Sequence, residues 1–512
     1  MLQTLRGLEI NQSGMYSSRF GLLSILILWR LINVILVRTV HVPDEYWQSL
    51  EVAHRLIFGY GYLTWEWTTM IRSYTYPFFI SILYWILAIF SMDSVLLLTT
   101  LPRILQAILV AYSDYRFYKW TRSRWMLISL CLNWYWYYCA TRTLINSVET
   151  ACTIIALSIF PWKESHVQSI KFLWIVGFLC MMRPTAAIMW LPMCLHHICT
   201  SMEKTRLLGR YILICSTCAV VSVLIDSYCY GTYVITPWKF FQVNVLGNIG
   251  STYGVKPALW YIYSALPVLL GMYFIPFLFS CCLIIKRSAL FPRESIMLVT
   301  IGWTVIVYSL LAHKEFRFIL PLLPLFICTS FVCLNRLNIR VTGHVRKRVI
   351  AILVCSNVIP GLFFSTIHQR GTLAIMERLR NEINRTNTSF TDTLILTPCH
   401  STPLYSHLHL NTSIRFLTCE PNLNNIEDYV DEADQFFTNP AAWLSNNYIN
   451  NKKATAPTYV IAFDNTANEI PEFLPFFRFR VTRTKECHGK RQCWYSRYRC
   501  TKSSTSCLSS HQ

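Results

Sequence analysis

Long apolar runs joined by short basic loops fill most of the first 366 residues. The runs lie near 20–39, 95–118, 124–140, 144–161, 170–183, 184–199, 208–229, 259–285, 297–312, 317–335 and 348–366. A helix needs about 20 apolar residues to cross the hydrocarbon core, so the pattern predicts a polytopic α-helical membrane protein with about 11 transmembrane helices. Phe78–Phe90 is shorter, at about 13 residues, and suits a re-entrant or juxtamembrane segment better than a span. With it left out and the N-terminus in the cytosol, the basic loops Arg116–Arg124, Lys163–Lys171, Lys204–Arg210, Lys286–Arg293 and Arg336–Arg348 all face the cytosol, as the positive-inside rule asks. The two runs flanking Arg183 and Pro184 read either as a hairpin, which keeps this parity, or as one kinked helix.

Beyond Phe364 the pattern changes. Asn, Thr, Asp and Glu replace Leu and Ile, and short apolar stretches at Thr393–Leu396, Ile414–Leu417 and Tyr459–Phe463 are bounded by turn residues and read as strands. Asp431–Phe437 is more helical. The expected organisation is a membrane domain over 1–369, with its first lumenal loop at 41–77, and a small C-terminal lumenal α/β domain over 370–512 with a disordered end. Three sequons, at Asn384, Asn387 and Asn411, fit a lumenal tail.

Composition sharpens this picture. A chain of 512 residues that is 54% hydrophobic and 14% charged is not a soluble globule. Its net charge of +20 is distributed over loops, and no nucleic-acid module accompanies it, so the charge reports orientation and not a polyanionic partner. Phe20–Val37 is long enough to span and lacks a small-residue cleavage site, so it reads as a signal anchor. Fourteen of the twenty cysteines lie in apolar runs between Cys131 and Cys355, as small buried hydrophobes. The other six, Cys399, Cys419, Cys487, Cys493, Cys500 and Cys507, suit disulfides in an oxidising lumen, in a connectivity that spacing does not reveal.

The candidate chemistry gathers at the lumenal face. Adjacent carboxylates Asp44 and Glu45 open the first loop, with Gln48 and Glu51 following, and an unpaired charge beside a membrane is costly unless it serves a function. Tyr46, Trp47, Trp65 and Trp67 could stack on sugar faces, or form an interfacial aromatic belt. Arg142, Asn146 and Glu149 share one helix face, either as a site or as a salt-bridged helix end. His313, Lys314 and Arg317 crowd positive charge at the end of a span, and Arg183 adds another cation. Such cations could grip a phosphate or snorkel to the interface. A carboxylate base to take a hydroxyl proton and cations to stabilise a departing phosphate together fit glycosyl transfer from a polyprenyl phosphate sugar. No DxD metal motif or Gly-rich phosphate loop occurs, so no metal or cofactor is expected. His400, His407 and His409 lack regular ligand spacing and read as part of a structural turn.

HVPDEYWQSLEVAH, YGYLTWEW, IRSYTYP, TRTLINSVET, MRPT and HKEFRF, over about Tyr16 to Arg499, resemble the dolichyl-phosphate-mannose-dependent mannosyltransferases of the endoplasmic reticulum, glycosyltransferase family 22. With TPCHSTPLYSHLH, the loop motifs are similar more narrowly to the members acting on glycosylphosphatidylinositol (GPI) anchor precursors. The resemblance implies a GT-C type fold and transfer of a third, α-1,2-linked mannose from dolichyl phosphate mannose to a GPI precursor in the endoplasmic reticulum membrane. It implies Asp44 as base with Glu45 sharing or positioning, and His313, Lys314 and Arg317 near the donor phosphate. Phe316 stands where the wider family often has a polar residue, so no catalytic role falls to it. The rivals are a related lipid-linked mannosyltransferase, of N-glycan precursor assembly or of a fourth GPI mannose, and a non-catalytic glycolipid flippase or scaffold.

Overall fold

The computed structural model describes residues 19–162, 169–340, 343–386, 391–424, 426–451, 455–471, 473, 480–483 and 493–497. The chain divides into two compact units. One comprises Met1–Arg38 with Asp44–Thr366, the other Thr39–Pro43 with Ile367–Gln512.

The first unit is helical. Its helices are α1 (Arg19–Leu36), α2 (Glu51–Phe58), α3 (Trp65–Thr68), α4 (Thr75–Ile89), α5 (Val95–Thr121), α6 (Arg124–Leu132), α7 (Trp134–Cys139), α8 (Ile145–Ile159), α9 (Lys171–Met182) and α10 (Ala186–Thr200). After these come α11 (Lys204–Tyr230), α12 (Thr236–Phe240), α13 (Leu266–Leu270), α14 (Phe274–Lys286), α15 (Pro292–Ser309), α16 (Leu323–Arg340) and α17 (Gly343–Thr366). By length and composition, Val95–Thr121, Lys204–Tyr230, Tyr261–Lys286, Phe316–Arg336 and Gly343–Arg385 can each cross a membrane. Gly21–Leu36, Thr75–Ile89, Ile145–Ile159, Lys171–Met182 and Ala186–Thr200 are shorter apolar helices. Their lipid-facing and buried surfaces are both apolar, which is why hydropathy finds them and periodicity does not.

Two segments differ from the hydropathy pattern, and a third bears on the two readings left open. The run 124–140 is not one helix: Asn133 ends α6 and caps α7, its Oδ1 accepting from Trp136 N at 2.9 Å while its Nδ2 donates to Leu269 O at 2.8 Å. The run is apolar throughout, so only this polar residue marks the break. Phe78–Phe90 falls on α4, which ends at Ile89 with Phe90 as its C-cap and has 15 residues, the same length as α8 and α10. Between α9 and α10, Arg183 is extended at φ −147° and ψ 100°, which excludes one continuous helix. Pro184 accounts for this by disfavouring helical geometry in the residue before it.

The core of this unit is built on Trp136, Phe172, Trp190, Tyr261 and Phe326. Polar bonds fasten the end of α1 to it. Arg30 Nε donates to Asp114 Oδ2 at 2.7 Å in a fully buried pair between α1 and α5, and Asn33 Nδ2 donates to Tyr137 O at 2.8 Å. Arg103 Nη2 caps Val37 O at 2.8 Å, so the chain leaves α1 in a fixed direction toward the first loop.

The second unit contains a five-stranded sheet. With β1 (Asp392–Leu396), β2 (Ser413–Phe416), β3 (Tyr459–Phe463), β4 (Arg480–Arg483) and β5 (Cys493–Arg497), the order is β2-β1-β3-β5-β4. β1 pairs in parallel with β2 and β3, and β5 pairs antiparallel with β3 and β4. The three strands and the helix at Glu432–Thr438 expected from sequence are present, while β4 and β5 are two strands the sequence reading did not single out. Leu394, Leu396, Phe436, Trp443 and Val460 form its core.

Cys399, beyond β1, is disulfide-bonded to Cys419, beyond β2. Fourteen cysteines of the helical unit are free thiols, and four of them, including Cys199 and Cys215, are exposed rather than buried. Cys487, Cys500 and Cys507 lie outside the described residues, as does the side chain of Cys493. Asn384 and Asn411 are exposed, and Asn387 also lies outside the described residues. Cys399→Ser should lower stability by about 2–4 kcal/mol. Thermal unfolding of purified protein, with a nonreducing peptide map of the Cys399–Cys419 link, checks this.

Candidate active site

The first loop begins as a helix. Asp44 and Glu45 lead into a wide turn at Tyr46–Leu50 that continues as α2, which puts both carboxylates at a helix N-terminus where backbone dipoles favour negative charge. Their surroundings differ sharply. Glu45 turns inward: its Oε2 accepts from Arg142 Nη1 at 2.8 Å, with the two side chains only 3% and 1% exposed. Arg142 Nε donates to Tyr138 O at 2.8 Å, and the guanidinium lies 4.2 Å from the Tyr138 ring centroid. Asp44 keeps 26% of its side chain exposed and accepts from Arg317 Nη1 at 2.7 Å.

Arg317 comes from the short 3₁₀ turn Phe316–Leu322 ahead of α16. Its Nε and Nη2 hold Glu315 at 2.8 and 2.5 Å, and His313 Nε2 lies 3.1 Å from Glu315 Oε1. Burial disfavours charge on Glu315, but Arg317 and His313 outweigh it and hold the carboxyl well below its ordinary range. The motif His313–Phe318 thus folds back on itself as an ion-paired knot that orients Asp44. Phe316 packs on Trp260, with centroids 4.8 Å apart, in keeping with no catalytic role.

The other expected residues are placed as follows. Lys314 is buried, its Nζ donating to Lys256 O at 3.0 Å and Leu311 O at 2.5 Å, so it joins two loops. Arg183 Nη1 pairs with Glu149 Oε2 at 2.6 Å and lies 5.2 Å from the Phe318 ring centroid, beside the Arg317 cluster. Tyr46, Trp47 and Trp67 are buried, and Trp67 Nε1 donates to Trp47 O at 3.1 Å. Trp65, also buried, contacts the segment after α12: its Nε1 donates to Tyr253 Oη at 2.6 Å, with near-parallel rings. Tyr253 also meets the His313 ring edge-on at 6.0 Å, so it bridges the first loop and the cationic motif.

Four site residues were not singled out from sequence. Glu66 accepts from Arg72 Nη2 at 2.5 Å and Nε at 3.1 Å, while Gln48 Nε2 donates to Glu66 Oε2 at 3.0 Å. Asp226, fully buried in α11, accepts from Tyr74 N at 2.8 Å, Ser73 Oγ at 3.0 Å and Thr236 Oγ1 at 2.5 Å, which staples the end of the first loop to the start of α12. Tyr253 is the fourth. An acid in WEW six residues before the base in IRSY was the available signal for Glu66 and Arg72.

Asp44 is thus a partly exposed carboxylate held by a guanidinium that is itself paired with Glu315. A profile of the Alg9-like mannosyltransferase family matches residues 22–409. The chain belongs to the Alg9-like mannosyltransferase family. Among its relatives, GPI mannosyltransferase 3 of Drosophila melanogaster is 44% identical over 88% of this chain and 81% of its own length. GPI alpha-1,2-mannosyltransferase 3 of Danio rerio is 41% identical over 88% and 83%, and that of Homo sapiens 40% over 88% and 81%. ArnT from Cupriavidus metallidurans, solved bound to undecaprenyl phosphate, shares the fold at a TM-score of 0.55 and 11% identity, covering 93% of this chain and 97% of its own. The family thus supplies the mannosyltransferase class, and the structural likeness supplies the GT-C type fold.

Proposed function

We propose that this enzyme transfers the third mannose, in α-1,2 linkage, from dolichyl phosphate mannose to a GPI-anchor precursor at the lumenal face of the endoplasmic reticulum membrane. The observation that carries the mechanism is the contrast between the adjacent carboxylates: Asp44 is accessible and oriented by Arg317, whereas Glu45 is buried against Arg142. Asp44 takes the proton from the acceptor hydroxyl as its oxygen attacks the anomeric carbon. The bond from that carbon to the phosphate oxygen breaks on the opposite face, configuration inverts, and dolichyl phosphate leaves with the electron pair. Charge grows on the phosphate in the transition state, so nearby guanidinium groups lower the barrier without a metal.

The relatives named for GPI transfer support the acceptor, and a fold shared with a protein that binds a polyprenyl phosphate supports the donor class. The Cys399–Cys419 disulfide supports a lumenal tail.

Cells lacking the protein should accumulate a GPI precursor with two mannoses. Truncated dolichol oligosaccharides in its place would instead assign the enzyme to N-glycan precursor assembly. Purified protein should also move mannose from dolichyl phosphate mannose to that precursor, and binding of both lipids without transfer would favour a scaffold.

A further inference from the structure

A residue that holds the base is poorly placed to hold the leaving group. In an inverting displacement the nucleophile and the departing oxygen lie on opposite faces of the sugar, and the analogous groups of inverting glycosidases stand about 6.5–9.5 Å apart. Arg317 Nη1 is only 2.7 Å from Asp44 Oδ2, and its Nε and Nη2 are both engaged by Glu315. All three guanidinium nitrogens therefore face carboxylates. Lys314 donates to backbone carbonyls and Arg142 is buried on Glu45, which removes two more of the expected cations.

Arg72 is placed differently. Glu66 holds its Nε and Nη2, and Gln48 fixes Glu66 in turn. Its side chain stays 27% exposed, and among the described residues Nη1 has no hydrogen-bond partner. Its backbone is anchored on both sides: Ile71 N donates to Glu66 O at 3.1 Å before it, Tyr230 Oη donates to Arg72 O at 2.8 Å, and Ser73 and Tyr74 are bound by Asp226 after it. Burial disfavours its charge, but Glu66 and then Asp44 raise its pKa from the ordinary value, so it stays a cation within reach of the Asp44 field. A guanidinium with one open edge, tied through Glu66 and Gln48 to the helix that begins at Asp44, can receive a phosphate oxygen.

We infer that Arg72 is the guanidinium that binds the donor's departing phosphate, while Arg317 is a positioning residue for Asp44. The inference rests on the proposed transfer from a dolichyl phosphate sugar. A phosphate of the acceptor glycolipid offers the same chemistry, and dolichyl phosphate, the product, separates the two sources because it binds only on the donor side.

The test uses full-length purified enzyme and dolichyl phosphate as an inhibitor competing with the donor. Arg72→Gln should weaken that inhibition by about 10- to 100-fold, the effect of a lost hydrogen bond between charged groups, and should leave the acceptor KM unchanged. Arg72→Lys, which keeps the charge without the fork, should fall between, and remains informative if the Gln variant does not fold. A rise in acceptor KM alone would place Arg72 on an acceptor phosphate and overturn the inference, as would unchanged inhibition in both variants. Wild-type enzyme insensitive to dolichyl phosphate would instead remove the donor reading, and this assignment with it.

Discussion

Asp44→Asn should reduce mannose transfer by about 10²- to 10⁴-fold, the contribution typical of a positioned base, while the protein stays folded in the membrane. The substitution keeps the shape of the side chain and removes its ability to take a proton. Stability should change little, because Asp44 is partly exposed and Arg317 retains both of its bonds to Glu315. Substitutions at such a site usually stay within about 0.5 kcal/mol. Measuring turnover and abundance on the same preparation separates the two effects. If Asp44→Asn kept near-normal turnover, the base would lie elsewhere. Glu149, another carboxylate near the cluster, is buried and paired with Arg183, so it would first have to be released.

The parts legible in the sequence are those written locally. Apolar runs announce helices because lipid selects for composition over a short window, and Tyr459–Phe463 announces a strand for a similar reason, its alternating neighbours being turn formers. The partners of charged residues are not written locally. Asp44 and Arg317 are 273 positions apart, and nothing in either motif says that Arg317 would be occupied by Glu315, two residues before it. The aromatic loop shows the same limit. Tyr46, Trp47, Trp65 and Trp67 are all buried, yet Trp67 bonds back to Trp47 O within the loop while Trp65 bonds to the distant Tyr253, a difference that the letters do not carry. Arg72 was visible in IRSYTYP but indistinguishable from an interfacial arginine until Glu66, Gln48 and Tyr230 were seen to fix it. The break at Asn133 was hidden for the opposite reason: the residues on either side are apolar enough to continue a span, and a single capping amide ends the helix.

Glu45→Gln should behave as a stability variant and not as the loss of a base. Its carboxylate and the Arg142 guanidinium are almost wholly excluded from solvent, so removing one charge strands the other. Breaking a buried pair in this way costs about 3–5 kcal/mol. The Gln amide can still accept one hydrogen bond from Arg142, so the loss should sit near the lower end, whereas Arg142→Gln also gives up the bond to Tyr138 O and the contact with its ring. Both variants should show a lower unfolding temperature and lower abundance. Turnover per folded molecule should fall far less than for Asp44→Asn, through misplacement of the neighbouring carboxylate. Removing both charges together, as Glu45→Leu with Arg142→Met, should recover part of the stability, because no uncompensated charge is left behind. The decisive comparison is between melting and chemistry. Should Glu45→Gln melt like the wild type and yet fail to transfer mannose, the buried pair must open during the reaction, and Glu45, not Asp44, takes the proton.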